Sequence, residues 1–438
     1  MGQTTAIAHL YRRAGFGATP AQVTASTAAG YGATVNQMLR GLAISDHAAD
    51  AVKVPTFTTP PADFRRLRTD PVAREALDKT LAAERLALTN WWLARMVASG
   101  QPLAEKLTLL LHGQFPTAIS KVRFALYMYA QNQILRTQGA GSFTDLTQAV
   151  GTGAAMLIWL DAGSDNKANP NENFARELME RFTMGIGTYT EADVRAAAYC
   201  FTGWRVGRGG VFSIDAGDHS TVAQTFLGTK GVTTGQQVIE LATTSAASAR
   251  YVPACLWSHL AYPVTTSDPV VSDLSAVYAT DRNVTALLGA IFEHPRFTSV
   301  TAMTGLIKQP TEYVVGALRA LGFTASDVLS GKLNLEEPMA GMGQILFDPP
   351  SVGGWGQNQY WLSTAAALAR WRLAQRLSEV ADLSAIADVA PSARVEAASA
   401  LLSVDSWSES TNAVLRRASG DPAALMTLAL VSPEYVSN

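Results

Sequence analysis

The chain has 438 residues, of which 48% are hydrophobic and 16% are charged, and its formal net charge is -2. This much apolar material with so little charge excludes intrinsic disorder, because the chain can bury a large core. The balanced charge also excludes the global positive field that holds nucleic acid or an anionic membrane surface, so we expect no nucleic-acid partner.

Helix signals dominate the chain from its start. Thr19 and Asp70 are each followed by a proline, which is the pattern of an N-cap with proline at the first helical position. After Asp70, apolar residues recur at spacings of four and seven as far as Gly100: Leu77, Leu81, Leu88, Trp92 and Met96. This spacing predicts one long amphipathic helix.

More helices are predicted along the rest of the chain. One begins at Pro102 and runs towards His112, and Thr190 with Asp193 forms a capping box that starts another, through Ala196 to Gly203. The remaining predicted helices cover residues 121–136, 236–243, 283–292, 310–321, 360–376 and 423–430. Their alanine-rich composition favours helix over strand.

Strand signals are confined to residues 209–231, where Val211 to Ile214 and Thr225 to Leu227 form short runs between glycines and polar residues. The sequence therefore predicts a mainly α fold, a compact multi-helix domain with a small inserted β-hairpin at residues 205–232. We expect one domain over residues 1–438. Residues 1–60 form its N-terminal helical piece and linker, with Val54 to Pro61 as the linker, and residues 378–438 form peripheral C-terminal helices.

The sequence shows no targeting or membrane signal. The first 17 residues lack the apolar region of a signal peptide, and no run of about 18 apolar residues exists that could span a membrane. We expect a cytoplasmic protein, or an exported one if a signal has been removed. Cys200 and Cys255 are too few for a disulfide framework, although one bond between them remains open.

The polar stretch after Pro170 is the most informative part of the sequence. Asn171 and Glu172 begin a predicted helix whose dipole favours an anion in the first turn. Spacings of three and four place four further polar residues along one side of it: Asn173, Arg176, Glu177 and Glu180. Glu177 or Glu172 could act there as a general base or a metal ligand, oriented by Arg176 and the asparagine amides. The alternative is an ordinary solvated face with surface ion pairs.

Histidines would mark a metal or acid/base site, but the six in this chain are scattered and form no zinc-binding motif. A composite site of His112, His219, Glu172 and Glu177 would require the fold to gather them. We therefore predict no metal site and name no cofactor. His112 follows three leucines, which also suits a hydrogen-bonded core histidine.

Two loops carry aromatic and charged residues that could line a cleft. They hold Trp204 with Arg205, and Asp348 with Trp355 in a segment rich in glycine and proline. Such loops can present an aromatic platform to a sugar or a peptide. The alternative is that these tryptophans fill the core between helices.

Several segments, in this order, resemble one known family. They are His9-Leu10-Tyr11-Arg12-Arg13-Ala14-Gly15-Phe16-Gly17, Asn171 to Glu180, Tyr189 to Val194, Thr202-Gly203-Trp204, Lys308 to Gly316, Leu346 to Trp355 and Ser432 to Tyr435. Together they resemble the bacterial domain-of-unknown-function family 1800 over essentially the whole chain. The resemblance implies an uncharacterised protein, often exported, whose gene neighbours a sulfatase-like or phosphatase-like partner.

The chain departs from the family pattern at two polar sites. It has Leu111-His112-Gly113-Gln114-Phe115 where relatives tend to have a second histidine. Around His219 it lacks an acidic residue and a lysine that relatives tend to carry. These departures mark a divergent member whose site is either altered or inactive.

Two functions follow as hypotheses. In the first, an enzyme-like protein acts on an envelope or secreted polymer by acid/base chemistry. Its polar pocket would gather Asp161, Asn171, Glu172, Asn173, Arg176, Glu177, His112 and His219. In the second, a non-catalytic binding or accessory protein supports a partner enzyme. A cavity beside Glu172 and Glu177 would favour the first, and carboxylates facing solvent without a pocket would exclude it.

Overall fold

A computed structural model describes residues 2–60 and 69–437 and shows a mainly α-helical protein, as predicted. The described α-helices are Gln3–Arg13, Pro20–Ala29, Tyr31–Gly41, His47–Asp50, Pro71–Ala98, Pro102–Gln114, Ile119–Val122, Ala125–Gln138, Phe143–Gly151, Ala154–Trp159, Glu172–Glu177, Glu191–Phe201, Gly235–Thr244, Ala246–Leu260, Pro269–Tyr278, Val284–Glu293, Val300–Thr304, Pro310–Ala320, Ala325–Leu329, Glu336–Gly341, Thr364–Val380, Ser384–Ala387, Arg394–Leu402, Glu409–Ala418, Pro422–Leu430 and Pro433–Val436. A π-helix, Leu178–Thr183, continues the helix Glu172–Glu177, and short 3-10 turns connect other elements: Ala162–Ser164, Arg208–Gly210, Pro295–Thr298, Asn358–Trp361 and Pro391–Ala393.

The long helix Pro71–Ala98 forms as its apolar spacing predicts. The side chain of Asp70 accepts a hydrogen bond from the Ala73 amide, and Pro71 occupies the first turn, where no amide partner is needed. The helix buries its apolar residues over its second half, and these include Leu88, Trp92 and Met96. Tertiary packing of this face therefore stabilises the helix far more than propensity alone.

The helix predicted over residues 121–136 is interrupted. A short helix, Ile119–Val122, ends at Arg123, whose φ of 72° places it in a conformation that favours glycine. A second helix, Ala125–Gln138, then begins two residues later. The break could not be predicted from the sequence, because arginine rarely adopts a positive φ and so does not indicate one.

The predicted β region contains two hairpins. Trp204–Val206 pairs antiparallel with Phe212–Ile214, and Gln224–Phe226 pairs antiparallel with Thr229–Val232. The two runs that indicate strands in the sequence therefore belong to different hairpins, and each pairs with a neighbour whose strand signal is weak. Trp204 of the first hairpin and Phe226 and Val232 of the second are buried, so both hairpins attach to the helical body through apolar side chains.

The core consists of two clusters of buried apolar side chains. The first is built mainly from residues 103–302, and the second joins residues 81–128 to residues 313–436. The helix Pro102–Gln114 contributes to both, since Leu107 and Leu110 belong to the first cluster and Leu109 to the second. This shared helix ties the two halves of the core together.

The two ends of the chain meet in space. The Ser403 hydroxyl donates to the Ala18 carbonyl over 2.8 Å, and the Lys308 amide donates to the Val436 carbonyl over 2.9 Å. The helix Pro422–Leu430 packs on Thr364–Val380 and belongs to the second core cluster. Residues 54–60 have no regular secondary structure, and Pro61, the end of the predicted linker, lies outside the described residues.

Within residues 2–60 and 69–437, no helix combines the length and the hydropathy that a membrane crossing requires.

Candidate functional site

The two asparagines of the predicted polar pocket hold the local backbone together. The Asn171 side chain caps the helix Glu172–Glu177 by accepting from the Asn173 amide. The Asn171 side-chain amide donates to the Leu160 and Asp161 carbonyls, both over 3.3 Å, and that of Asn173 donates to the Leu160 carbonyl over 3.4 Å. These bonds fasten the helix start to the preceding turn.

Arg176 lies between two carboxylates at the protein surface. Its guanidinium donates to both Glu191 oxygens, over 2.7 and 2.8 Å, and contacts Glu172 over 3.3 Å. The hydrogen bond with Glu191, partly offset by desolvation, raises the pKa of Arg176. The Glu172 side chain is 42% exposed. Arg176 and Glu172 thus form the surface ion pairing of the alternative interpretation.

Glu177 is half-buried, and so are Glu172 and Glu180. Burial first, and the nearby Glu180 second, raise the pKa of Glu177 above its usual range. Its Oε2 atom is buried and has no hydrogen-bond partner among the described residues. In the part of the chain that the structure describes, neither Glu177 nor Glu172 lines any of the main cavities.

Asp161 and Asp348 lie in different places. Asp161 adopts a left-handed conformation with φ 58°, and its exposed carboxylate pairs with Lys121 over 2.7 Å. The Asp348 carboxylate accepts from the Ser120 amide over 3.2 Å and so fixes a loop. Neither carboxylate lies with Glu177.

Trp204 and Arg205 belong to the first hairpin, and His219 lies beside Thr202, which comes just before it. Trp204 is fully buried and packs edge-on against Phe201, which is the packing role of the alternative interpretation. Arg205 forms an ion pair with Asp218 and donates to the Asp165 carbonyl over 2.7 Å. The His219 Nδ1 atom lies 2.7 Å from the Thr202 carbonyl oxygen.

His112 is a core residue. Its Nε2 atom accepts from the Phe347 amide over 3.2 Å, and its ring contacts the rings of Trp92 and Trp355. Burial lowers the pKa of His112 to about 3, so the imidazole is neutral at physiological pH. Among the described residues, no hydrogen bond or ion pair joins His112, His219 and Glu177. No group of three potential metal ligands is found among residues 2–60 and 69–437.

Two predicted ligand-binding residues line cavities: Asp161 lines one of about 580 Å³ together with Lys121, and Trp355 lines a smaller one. The Trp355 pocket, of about 200 Å³, lies between the helices Pro102–Gln114 and Ala246–Leu260 and the loop that follows Val352. Its wall combines aromatic rings with neutral polar side chains and includes Trp355, Trp361, Tyr251, Gln357, His259 and Ser258. The helix Ala246–Leu260 is absent from the sequence prediction, because Pro253 in its interior argues against a helix.

His259 has a fixed tautomer in this pocket. Its Nδ1 atom lies 2.8 Å from the Cys255 carbonyl, which only accepts, so Nδ1 carries the proton and Nε2 accepts from the Gln357 amide over 2.6 Å. Burial lowers the pKa of His259, which keeps the ring neutral. Burial also raises the pKa of the Cys255 thiol to about 12, so this thiol stays protonated.

Two charged side chains, Glu312 and Arg181, also line this pocket. The Glu312 carboxylate pairs with the buried Lys106 ammonium and accepts from the Gln309 amide over 3.1 Å. Gln309 also bonds the buried Gln344 over 2.8 Å. Lys106 and the neighbouring hydrogen bonds lower the pKa of Glu312 against the opposing effect of burial. Glu312 and Gln309 belong to a motif that carries the family resemblance, which is the one sequence signal that points to them.

Comparison with known proteins gives one match. No curated protein and no solved structure matches the chain. The family model described as a protein of unknown function, DUF1800, matches residues 9–437. Because this match covers nearly the whole chain, the protein belongs to that family, as its motifs indicate.

Proposed function

We propose that the protein is a non-catalytic binding protein that holds one uncharged polar unit, such as a sugar of an envelope or secreted polymer, in the Trp355 pocket. The observation that carries the proposal is the composition of this wall, where Trp355 and Trp361 accompany hydrogen-bonding groups of Gln357 and His259 that are already oriented. A few placed polar groups among apolar ones are typical of small-molecule sites.

The chemistry of the wall suits a sugar. An indole face packs on the C–H side of a pyranose, while neutral amide and hydroxyl side chains exchange hydrogen bonds with its hydroxyl groups. The volume of about 200 Å³ is below that of pockets for drug-sized ligands, roughly 300–1,000 Å³, so the pocket suits one small unit.

The groups in this pocket support binding better than catalysis. His259 has both ring nitrogens in hydrogen bonds, Cys255 is a protonated thiol, and Glu312 is neutralised by Lys106. Proton transfer needs a base with a free lone pair near the substrate. The Trp355 pocket offers none in its present arrangement.

The test is binding to an array of neutral oligosaccharides, followed by titration of the best one with intrinsic fluorescence as the readout. Trp355→Ala is expected to weaken binding at least tenfold. Trp371→Ala, which removes an exposed tryptophan of the helix Thr364–Val380, should leave the affinity unchanged. Binding to peptides alone, or equal affinity of the two variants, would contradict the proposal.

Acid/base chemistry at Glu177 is a second candidate. Its raised pKa and its buried, unpartnered Oε2 are features of catalytic carboxylates. Complementation of a gene deletion separates the two functions. We expect Glu177→Gln to complement fully and Trp355→Ala to fail, whereas catalysis at Glu177 predicts the reverse.

An accessory role also requires a partner. The family resemblance suggests a sulfatase-like or phosphatase-like protein, and export if a signal has been removed. Affinity purification of the chain from cell fractions is expected to recover such an enzyme. Recovery of the chain without it would argue against this partner.

A further inference from the structure

A second cavity, separate in its chemistry from the Trp355 pocket, is lined by cations. It has a volume of about 210 Å³ and lies between the end of the helix Gln3–Arg13, the helix Pro310–Ala320 and residues 401–403. Arg12, Lys308 and Arg319 line it. We call it the Lys308 cavity.

Positively charged side chains outnumber negatively charged ones around this cavity. Beneath the wall, Arg13 and Lys106 are 1% exposed, and each interacts electrostatically with Glu312. Of the residues that the structure describes, Glu312 is the one carboxylate on the cavity wall, and it is already paired with Lys106. Asp405 acts on Arg12 and Asp46 acts on Arg319, but neither carboxylate lines the cavity.

The arginines of the wall are fixed by neutral acceptors. Arg12 donates to the Ser403 carbonyl, and Arg319 donates to the carbonyls of Met96, Val97 and Ser99 over 2.8–3.1 Å. Carbonyl oxygens satisfy hydrogen-bond donors without cancelling a positive charge. Buried charge without a counter-charge is costly, so an anion in the cavity would be strongly favoured.

Among the cations that line the cavity, Lys308 has the fewest compensating contacts. It is 6% exposed, and its ammonium lies 3.5 Å from the centre of the Tyr435 ring, with no hydrogen-bond acceptor among the described residues. The Tyr435 hydroxyl is likewise buried without a partner. Burial first, and then Arg12, lower the pKa of Lys308 far below its usual range, an effect that a bound anion would oppose.

We propose that the Lys308 cavity binds a small tetrahedral anion, namely phosphate, sulfate or the phosphate of a monoester, with Lys308 and Tyr435 as its direct donors and Arg12 and Arg319 as supporting charges. The site goes beyond the proposed function, because it needs neither Trp355 nor a neutral ligand. Ammonium and guanidinium groups are the ordinary partners of such oxyanions.

Isothermal titration of the full chain with sodium phosphate, sodium sulfate and phenyl phosphate tests the proposal, with sodium chloride as the reference salt. One saturable site with a sub-millimolar Kd for phosphate or sulfate is expected. Tighter binding of phenyl phosphate than of the inorganic anions would identify a monoester as the natural source of the phosphate group. No saturable binding beyond that of chloride would overturn the proposal.

Variants locate the site. Lys308→Met is expected to weaken the binding of phosphate at least tenfold. Lys230→Met, at an exposed lysine of the second hairpin, should leave the phosphate affinity unchanged. Lys308→Met should fold normally, because an apolar side chain replaces a buried charge. Tyr435→Phe gives a second measurement, with an expected loss of three- to tenfold. Equal phosphate affinity of Lys308→Met and Lys230→Met would refute the site, and Trp355→Ala should leave phosphate binding intact.

Discussion

Asp165 is a buried acid that the sequence does not single out. It lies in a polar loop, four residues after Asp161, and is 4% exposed. Burial raises its pKa to about 7, although contacts with Asn171 and the charge of Arg205 oppose the shift. Its Oδ2 atom has no hydrogen-bond partner among the described residues, as suits a carboxyl that keeps its proton.

The raised pKa predicts a pH-dependent stability. Between about pH 4 and 7 the folded state keeps a proton on Asp165 that the unfolded chain releases, so this contribution is full below pH 4 and is lost as the pH rises through 7. Asp165→Asn removes this titration. The unfolding free energy of the variant minus that of wild type should therefore increase by up to about 2 kcal/mol as the pH rises from 5 to 8. Urea denaturation at both pH values measures this.

The control for Asp165 is Asp388→Asn, which changes an exposed aspartate. Its stability difference from wild type should not vary with pH. A constant difference for Asp165→Asn as well would show that this carboxyl titrates normally in the folded protein.

His112 leads to a second prediction at the residue scale. His112→Ala removes the ring between Trp92, Phe347 and Trp355 and leaves the buried Phe347 amide without its acceptor. The expected loss is about 2–4 kcal/mol of unfolding free energy. His47→Ala, at an exposed position, should cost little in the same denaturant titration. If both variants match wild type, the core role of His112 is wrong.

The type of a polar residue does not by itself show whether its role is structural or functional. The capping role of Asn171 could be predicted from its place before Glu172, and the core role of His112 from the leucines before it. His259 could not be predicted as a pocket residue, because its function depends on a carbonyl one turn earlier and on Gln357, 98 residues away. Contacts between distant segments have no local signal in one sequence.

The start of the helix Gly235–Thr244 shows how tightly one element packs. A Cβ atom on Gly235 would lie 2.3 Å from the Trp204 ring and 2.5 Å from the Phe201 ring, both of them buried. Neither ring can move without opening the core. Gly235 is therefore fixed by a close approach between elements rather than by its backbone angles.

Gly235→Ala should lower the unfolding free energy by about 1–3 kcal/mol through overpacking. The matched control is Gly32→Ala in the helix Tyr31–Gly41, where nothing lies within 4 Å of the added atom. That change should stabilise by up to about 1 kcal/mol, because alanine favours helix. Chemical denaturation of both variants measures the contrast, and two equal effects would contradict the packing argument.

Helices with a regular spacing of apolar residues can be predicted from the sequence. Breaks and turns that depend on a single backbone angle cannot. The spacing of Leu81, Leu88 and Trp92 specifies the helix Pro71–Ala98 almost to its ends. The break at Arg123 depends on one positive backbone angle, φ 72°, at a residue whose type does not favour it. The pairing of Gln224–Phe226 with Thr229–Val232 likewise depends on a turn that the composition does not specify.

At the scale of the whole molecule, the two core clusters interleave along the chain. The helix Pro102–Gln114 contributes to both, and the N-terminal helix Gln3–Arg13 bonds the C-terminal region through Arg12 and the Ser403 carbonyl. Neither cluster is formed from one continuous segment. The single domain expected from the end-to-end motifs stays a prediction, and an unfolding experiment tests it.

We predict that both clusters unfold in one transition. Amides of the helix Gly235–Thr244 report on the first cluster, and those of Pro422–Leu430 report on the second. Because the shared helix Pro102–Gln114 has buried leucines in both clusters, it loses packing contacts when either cluster opens, so the remaining cluster should not persist alone. Hydrogen exchange measured by mass spectrometry across a urea series should give the same midpoint for both helices. Two midpoints separated by more than the error would instead divide the chain into two independently folding units.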